Sequence, residues 1–441
     1  MASSLPSAEV CVVGAGAAGL MAAIWARRTA PEQRVLLLDG ARRLGAKILI
    51  SGGGRCNVTH EKVDEKDFAG SPPMAIRKVL RRFDVEATIA FFVEIGVELK
   101  REDTGKLFPT SDRARTVLDA LFLEAKRCGV DIAHPCLVDS VSCLDGEPRD
   151  AIARDLTVEA VQHAAREGRP RFRVAGPWGS VDTACVVIAT GGQSVPSTGS
   201  DGAGYGLVRA LGHKVTRLLP SLVPLTLPRE HFLTALRGIA VPVELELRSA
   251  SGKRLLRVAG PLLCTHTGVS GPAVLDISRH YLEALHKEEG VSLHVNWVPG
   301  RSRDEIDREL LDLESGTPAN RLGRILPERL ARALCDASGL PGGVRFADLL
   351  REHRRALVDT LSELRLPVVG SRGFAVAEAT AGGVPLAELR LETMESRLQP
   401  GLYICGEICD VDGRIGGFNF QWAWSSGYVA GVGAAAGPRR D

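Results

Sequence analysis

No stretch of this chain approaches the roughly 18 apolar residues that a membrane span needs. The opening residues, MASSLPSAEV, hold neither a basic nor an apolar run, so no signal peptide is expected there. The ten cysteines never form Cys-x-x-Cys. The nearest spacing, Cys405 to Cys409, is too sparse for zinc, and no metal site is expected. Cys11, Cys185 and Cys405 sit in apolar runs, where cysteine acts as a small hydrophobe. Reduced thiols in a cytoplasmic protein are the expectation. A net charge of +2 supplies no field for nucleic acid or an anionic membrane. A small-molecule substrate is the partner expected, and composition sets no oligomeric state. There is no internal repeat, no low-complexity tail and no second G-x-G-x-x-G.

What is present is an ordinary globular composition, 45% hydrophobic and 24% charged over 441 residues. That length suits about three domains and a large core. Val10–Val13 reads as a short apolar strand, followed by GAGAAG at Gly14–Gly19 and an alanine-rich helix. Arg34–Asp39 reads as a second strand, so the segment has the size of a βαβ unit. Gly45–His60 reads as a loop and Asp103–Pro109 as a turn. Helices are expected near Ala75–Phe83, Val85–Ile95 and Arg113–Cys128. Ile132–Val141, Arg171–Ala175 and Val181–Ala189 read as strands. Residues 145–170 are charged and alanine-rich, and suggest a hairpin tip or a small surface helix.

Period-two alternation in Val241–Leu247 and Val291–Val295 predicts half-buried strands. Residues 301–365 read as helices, with Pro327 opening one of them. Their twelve arginines face twelve acidic residues, which favours a salt-bridged surface over a nucleic-acid face. The α/β character returns from Gly370. Two glycine-rich segments at opposite ends of the chain, Gly14–Gly19 and Gly406–Gly417, each lead from a strand towards a helix. They suggest a long ligand such as FAD gripped from both sides. The expected architecture is therefore a Rossmann-like FAD-binding domain in two parts, 1–195 and 370–441. Between them lie a β-rich, barrel-like insertion (196–300) and a small helical domain (301–369).

The glycine loop carries the first site. Gly14 permits the tight turn, Gly16 lets backbone approach a pyrophosphate, and Gly19 permits close helix–sheet packing. The N–H groups at Ala17, Ala18 and Gly19 open a helix and suit phosphate. Asp39 closes the second strand and suits ribose hydroxyls. In Ser51–Asn57, the glycines Gly52, Gly53 and Gly54 are costly to order, which a bland loop does not need. Arg55 and Lys47 are candidates to neutralise phosphate, and Asn57 to bond a flavin edge or ribityl hydroxyl. Thr190, Gly191 and Gly192 follow a buried strand and suit a ligand crevice.

The tail repeats this logic. Leu402–Cys405 reads as a strand leading to Gly406. Glu407 and Asp412 are candidate acceptors for ribityl hydroxyls. Gly416 and Gly417 let backbone approach, and the segment Asn419, Phe420 and Gln421 opens the last helix. N–H groups there would stabilise negative charge on a reduced flavin. Phe418, Phe420, Trp422, Trp424 and Tyr428 are expected to pack that helix on the sheet. His266, in the polar turn Thr265–Pro272, is a weak candidate proton donor, more simply read as structural.

These motifs together resemble the BaiN/YhiN-like flavoproteins, also called aminoacetone-oxidase-type FAD-binding enzymes. The resemblance rests on VVGAGAAGLMAA (Val12–Ala23), KILISGGGRCNVT (Lys47–Thr59) and KLFPTSDRARTVLDAL (Lys106–Leu121). It continues through ATGGQSVPSTGSDGAGYGLVRALGH (Ala189–His213), LVPL (Leu222–Leu225) and THTGVSGPAVLDIS (Thr265–Ser278). TAGGV (Thr380–Val384) and the run from Thr393 to Gly427 complete it. Asp39 stands where a glutamate is common in that family. The resemblance implies FAD, a redox role, and reduction of an activated C=C with NADH or NADPH as a transient donor. Some members carry an oxidase label, so oxidation of a small amine or amino ketone stands as an alternative. A non-catalytic or RNA-associated flavoprotein is the third.

Overall fold

The computed structural model describes residues 5–144, 171–311, 316–340 and 343–438. The hairpin or helix expected at 145–170 lies outside the described residues. The chain divides into two compact units, Met1–Leu218 with Ala379–Asp441, and Leu219–Glu378.

The first unit is built on a nine-stranded sheet. Its first strand, Ala8–Val13, lies parallel between Val35–Leu38 and Gly179–Ile188. Leu402–Ile404 runs parallel on the far side of Gly179–Ile188, and Asp131–Ala133 on the far side of Val35–Leu38. Near-continuous apolar runs such as Val35–Leu38, buried at every position, are what a parallel sheet covered on both faces demands. The chain moves from the first strand to one side, then returns later on the other. The gap between Ala8–Val13 and Gly179–Ile188 is thus a topological switch point, where open α/β sheets bind ligands.

Two helices cover this gap. Ala17–Thr29 follows the glycine loop, and Phe418–Ala436 ends the unit. They touch backbone to backbone. A Cβ at Gly427 would lie 2.4 Å from the Ala18 carbonyl oxygen, and one at Gly431 would lie 2.3 Å from that of Ala22. That approach explains the small residues in the last helix, a pattern that amphipathicity does not predict. Of its aromatics, Trp422 and Trp424 are fully buried, and Tyr428 stacks on Phe83, a residue outside the sheet, with ring centroids 4.8 Å apart.

Three local readings need correction. Lys106–Pro109 is the central strand of a small sheet with Thr59–His60 and Leu99–Arg101, because Leu107, Phe108 and Pro109 are buried. The loop 45–60 contains a short helix, Ala46–Ile50. The single strand expected over Ile132–Val141 is two pieces, Asp131–Ala133 and Ser140–Cys143.

The helix Ala114–Arg127 is held to the first helix by a charge cluster. Glu124, 4% exposed, accepts hydrogen bonds from Arg28 at 2.5 Å and from Arg127 at 2.6 Å. Burial pushes its carboxyl up, but Arg127, Arg28 and the Cys128 thiol outweigh that and bring it to about 2. A carboxyl lowered on folding stabilises above its unfolded value of about 4.3, and that stability is lost as pH falls through about 2. Glu124→Gln should therefore lower the melting temperature near neutral pH. The gap to wild type should narrow as pH drops towards about 3. A pH-independent gap in calorimetry would show that the charge contributes nothing.

The second unit carries a seven-stranded sheet ordered Leu364–Leu366, Ser292–Asn296, Ala240–Arg248, Arg254–Thr265, Gly268–Ser270, Leu225–Thr226, Gly370–Ser371. All the pairings that join them are antiparallel. Val241, Val243, Leu245 and Leu247 are buried alternately, matching the predicted period. The helices Glu328–Ala337 and Arg351–Glu363 share that core through Leu330, Leu334, Leu357 and Leu361.

Candidate functional site

The glycine loop leaves the carboxyl end of Ala8–Val13, and Asp39 follows the carboxyl end of Val35–Leu38. Thr190 and Gly191 follow Gly179–Ile188, and Gly406 follows Leu402–Ile404. In the parallel register Val13 lies beside both Leu38 and Ile188, and Ile188 beside Ile404. Four candidate segments are therefore brought to one edge of the sheet. Asp39 ties its own segment to the glycine loop, accepting from the Ala15 N–H at 2.6 Å and the Ala41 N–H at 2.7 Å. Each carboxylate oxygen keeps capacity for a further donor.

The helix Ala17–Thr29 has no side-chain cap and no acidic residue in its first turn. Its first bond runs from the Leu20 N–H to the Gly16 carbonyl, which leaves the N–H groups of Ala17, Ala18 and Gly19 outside the helical ladder. The last helix opens the same way at Gly417, uncapped, and its first bond is from the Gln421 N–H to the Gly417 carbonyl. Both ends suit negative charge.

Space sorts the glycines into two groups. A Cβ on Gly14 would lie 2.5 Å from the Ala189 carbonyl oxygen, and on Gly19 1.8 Å from that of Gly14. Gly191, Gly192, Gly406 and Gly417 are likewise closed, against Ser200, Thr380, Ala18 and Thr59. Gly52 is in tight contact with Asn57 and Phe108. Gly16 and Gly53 face open space, and Gly54 nearly so, with only the Leu49 carbonyl at 3.8 Å. Only this second group leaves backbone bare towards a ligand. Two non-glycine residues in these loops, Cys56 at φ 62° and Val195 at φ 48°, hold left-handed backbone. Such strain gathers at ligand sites, and for β-branched Val195 it is costly.

The loops are joined by a node of charge. The Lys47 ammonium donates to Glu407 Oε2 at 2.5 Å and to Ser194 Oγ at 2.5 Å. Ser194 Oγ in turn donates to Glu407 Oε1 at 2.9 Å, and the Thr380 N–H donates to the same oxygen at 2.8 Å. Burial pushes the Glu407 carboxyl up, but the charge and hydrogen bond of Lys47, with Ser194 and Thr380, bring it below its ordinary value. Glu407 is therefore ionised.

The structure corrects the roles given to three residues. Lys47 is not a spare cation for phosphate, because Glu407 already balances it. Arg55 pairs with Glu102 at 2.6 Å and lies 4.0 Å over the Phe108 ring, so its charge is also engaged. Gln421 is buried, and its side chain reaches Thr59, Phe83, Thr88 and Ser425. With its N–H in the helix as well, it has nothing left for a cofactor. Asn419 clamps the N–H and carbonyl of Gly413, at 2.8 and 3.0 Å, and leaves its own N–H free of the ladder. Phe420 is half-buried and stacks on Trp424, with centroids 5.4 Å apart. Asp412 is buried in a strand pair, Val411–Gly413 with Phe68–Gly70. His266 belongs to the second unit, exposed in the turn between two paired strands.

Sequence reasoning missed Ser194, Ser200, Tyr205 and Thr380. Asn57 Oδ1, Thr190 Oγ1, Ser200 Oγ and the Tyr205 hydroxyl are all buried without a hydrogen-bond partner among the described residues. Burial, then the charge of Glu407, pushes the Tyr205 hydroxyl well above its ordinary value, so it remains a donor. Each such orphan costs about 1–3 kcal/mol unless a partner arrives. A ligand rich in phosphate and hydroxyls fits open glycines, uncapped helix ends and orphaned hydroxyls together. FAD has that chemistry, and the residues present fit it.

Fold and site together define a Rossmann-type, FAD-dependent oxidoreductase. The family model described as HI0933-like protein Rossmann domain matches residues 8–433, and the chain belongs to that family. It is 31% identical to the 3-dehydro-bile acid delta(4,6)-reductase of Clostridium scindens, over 98% of this chain and all of that one. It is 32% identical to the ribosomal RNA dihydrouridine synthase of Escherichia coli, over 96% of each chain. The Haemophilus influenzae protein of the same name is 30% identical, over 96% of this chain and 98% of its own. Among the described residues, no helix is long and apolar enough to cross a membrane, and no disulfide joins the ten cysteines.

Proposed function

We propose that this flavoenzyme uses NADH or NADPH to reduce a carbon–carbon double bond conjugated to a carbonyl in a small molecule. The carrying observation is the convergence of four strand-end loops at one sheet edge, with bare backbone at Gly16 and orphaned hydroxyls at Thr190, Ser200 and Tyr205. The names of the relatives support the reaction class. A delta(4,6)-reductase and a dihydrouridine synthase both add hydrogen across a C=C bond.

The N–H groups of Ala17, Ala18 and Gly19 hold the pyrophosphate, with Gly16 bare beside them. Asp39 takes ribose hydroxyls on its remaining lone pairs. Thr190, Ser200, Tyr205 and Asn57 supply the polar contacts that their burial requires. The start of the last helix, at Phe418 to Phe420, faces developing negative charge. FAD, when bound, would supply hydride chemistry between a nicotinamide and the electrophilic carbon, with the second hydrogen of the saturated product drawn from solvent as a proton. A reducing cytoplasm suits a chain without disulfides.

A second reading keeps the chemistry and changes the substrate to uridine within an RNA. Two relatives matching over nearly the whole chain favour it. One experiment separates these readings and tests the oxidase alternative. The flavin is bleached anaerobically by NADH or NADPH, then reoxidised by a 3-keto-4-ene steroid, by unmodified ribosomal RNA, or by oxygen. Rapid reoxidation by the steroid with slow reoxidation by oxygen is the expected result. Reoxidation by RNA alone selects the uridine reading, and rapid peroxide formation selects an oxidase. No bleaching by millimolar donor would sink the reductase.

A further inference from the structure

We propose that Lys47 and Glu407 form a charge-balanced pair that sets the reduction potential of the FAD held by these loops, with Lys47 a positioning residue acting through Glu407. The inference rests on the FAD reading above. The pair joins positions 360 residues apart and is only partly screened, with side chains 30% and 18% exposed. Its hydrogen bonds form a closed circuit: Lys47 donates to Ser194 and Glu407, and Ser194 donates to Glu407. The Thr380 N–H locks the second carboxylate oxygen. No rotation frees one charge without stranding the other.

A largely buried ion pair is a poor source of stability, because desolvation offsets the attraction. An apolar pair would join these loops as well. What an ion pair provides and an apolar pair does not is a local field. Reducing a flavin adds negative charge, so an unbalanced cation nearby favours the reduced form and an unbalanced carboxylate disfavours it. The balanced pair keeps the potential between those limits.

The two single charge deletions should therefore move the potential in opposite directions. Glu407→Gln strands the ammonium and raises it. Lys47→Met strands the carboxylate and lowers it, when measured at about pH 8 so that any upward drift of the buried carboxyl is passed. The double variant should return near wild type. The potential is read by dye-coupled reduction of the purified holoprotein, with FAD content recorded beside it. Each tenfold difference between the affinities for oxidised and reduced FAD reads as about 30 mV. Shifts of the same sign, or none in proteins that retain FAD, would overturn the pair's role. Loss of FAD from a single variant that the double variant restores supports charge balance equally. Loss from all three folded variants overturns it, because the side chains would then be simple cofactor contacts. Wild-type protein that takes up no FAD defeats the FAD reading itself. Ser194→Ala keeps both charges, and a small shift with FAD retained is expected of it.

Discussion

Gly16→Val is expected to weaken FAD binding by on the order of 100-fold or more while leaving a folded apoprotein. The backbone at Gly16 is ordinary, with φ −81° and ψ −169°, and a Cβ there meets nothing within 4 Å. Valine at a helix N-cap costs only about 1 kcal/mol relative to better residues. The protein itself therefore has little reason to need glycine at this position. A bound pyrophosphate does, because the branched side chain would occupy the space over the uncapped N–H groups of Ala17, Ala18 and Gly19. Gly19→Val is the matched control. Its Cβ would sit 1.8 Å from the Gly14 carbonyl oxygen, so the loop, the helix or the sheet must move. That variant should fail to fold or lose several kcal/mol, at the upper end of single-substitution effects of roughly 4–5 kcal/mol. Yellow Gly16→Val protein with a full complement of flavin would defeat the assignment of this loop to the cofactor. Apoprotein unfolding by circular dichroism separates the two variants.

The contrast between these glycines shows what was legible in the sequence and what was not. The spacing of GAGAAG, the strand before it and Asp39 after it are local, and local pattern placed them correctly at a sheet edge. Alternation did the same for Val241–Leu247. Partner choice is not local. Lys47 looks like a phosphate ligand until folding sets it against Glu407, 360 positions away. Arg55 looks equally free until Glu102 and Phe108 are seen around it. Lys106–Pro109 follows a glycine turn and reads as part of it, yet pairing on both sides makes it a central strand. Thr380 and Ser194 carry no signal beyond short motifs, because a single hydroxyl or N–H acquires meaning only beside the carboxylate it serves.

Gln421→Ala should lower the stability of the apoprotein by roughly 3–5 kcal/mol, the largest loss expected outside the glycines. The side chain is 1% exposed. Its oxygen accepts from Thr59 Oγ1 at 2.6 Å, and its amide nitrogen reaches the Phe83 carbonyl at 3.0 Å and Thr88 Oγ1 at 2.9 Å. These partners lie 362, 338 and 333 residues earlier, so one amide ties the last helix to two early segments. Alanine removes that tie, leaves a cavity, and leaves the Thr59 hydroxyl without its acceptor in a dry interior, while Thr88 keeps its bond to the Asp84 carbonyl. Gln421→Glu is nearly isosteric, so it tests the hydrogen bonds apart from the volume. It keeps the acceptor for Thr59 and loses both donors, while burying a carboxyl beside the Phe83 carbonyl, and should also be strongly destabilised. FAD added to either variant should recover part of the lost stability by mass action, because the amide is not one of its contacts. A Gln421→Ala protein with wild-type melting temperature and no affinity for FAD would reverse this assignment. It would return Gln421 to the cofactor, and the last helix would then need another anchor on Thr59 and Phe83.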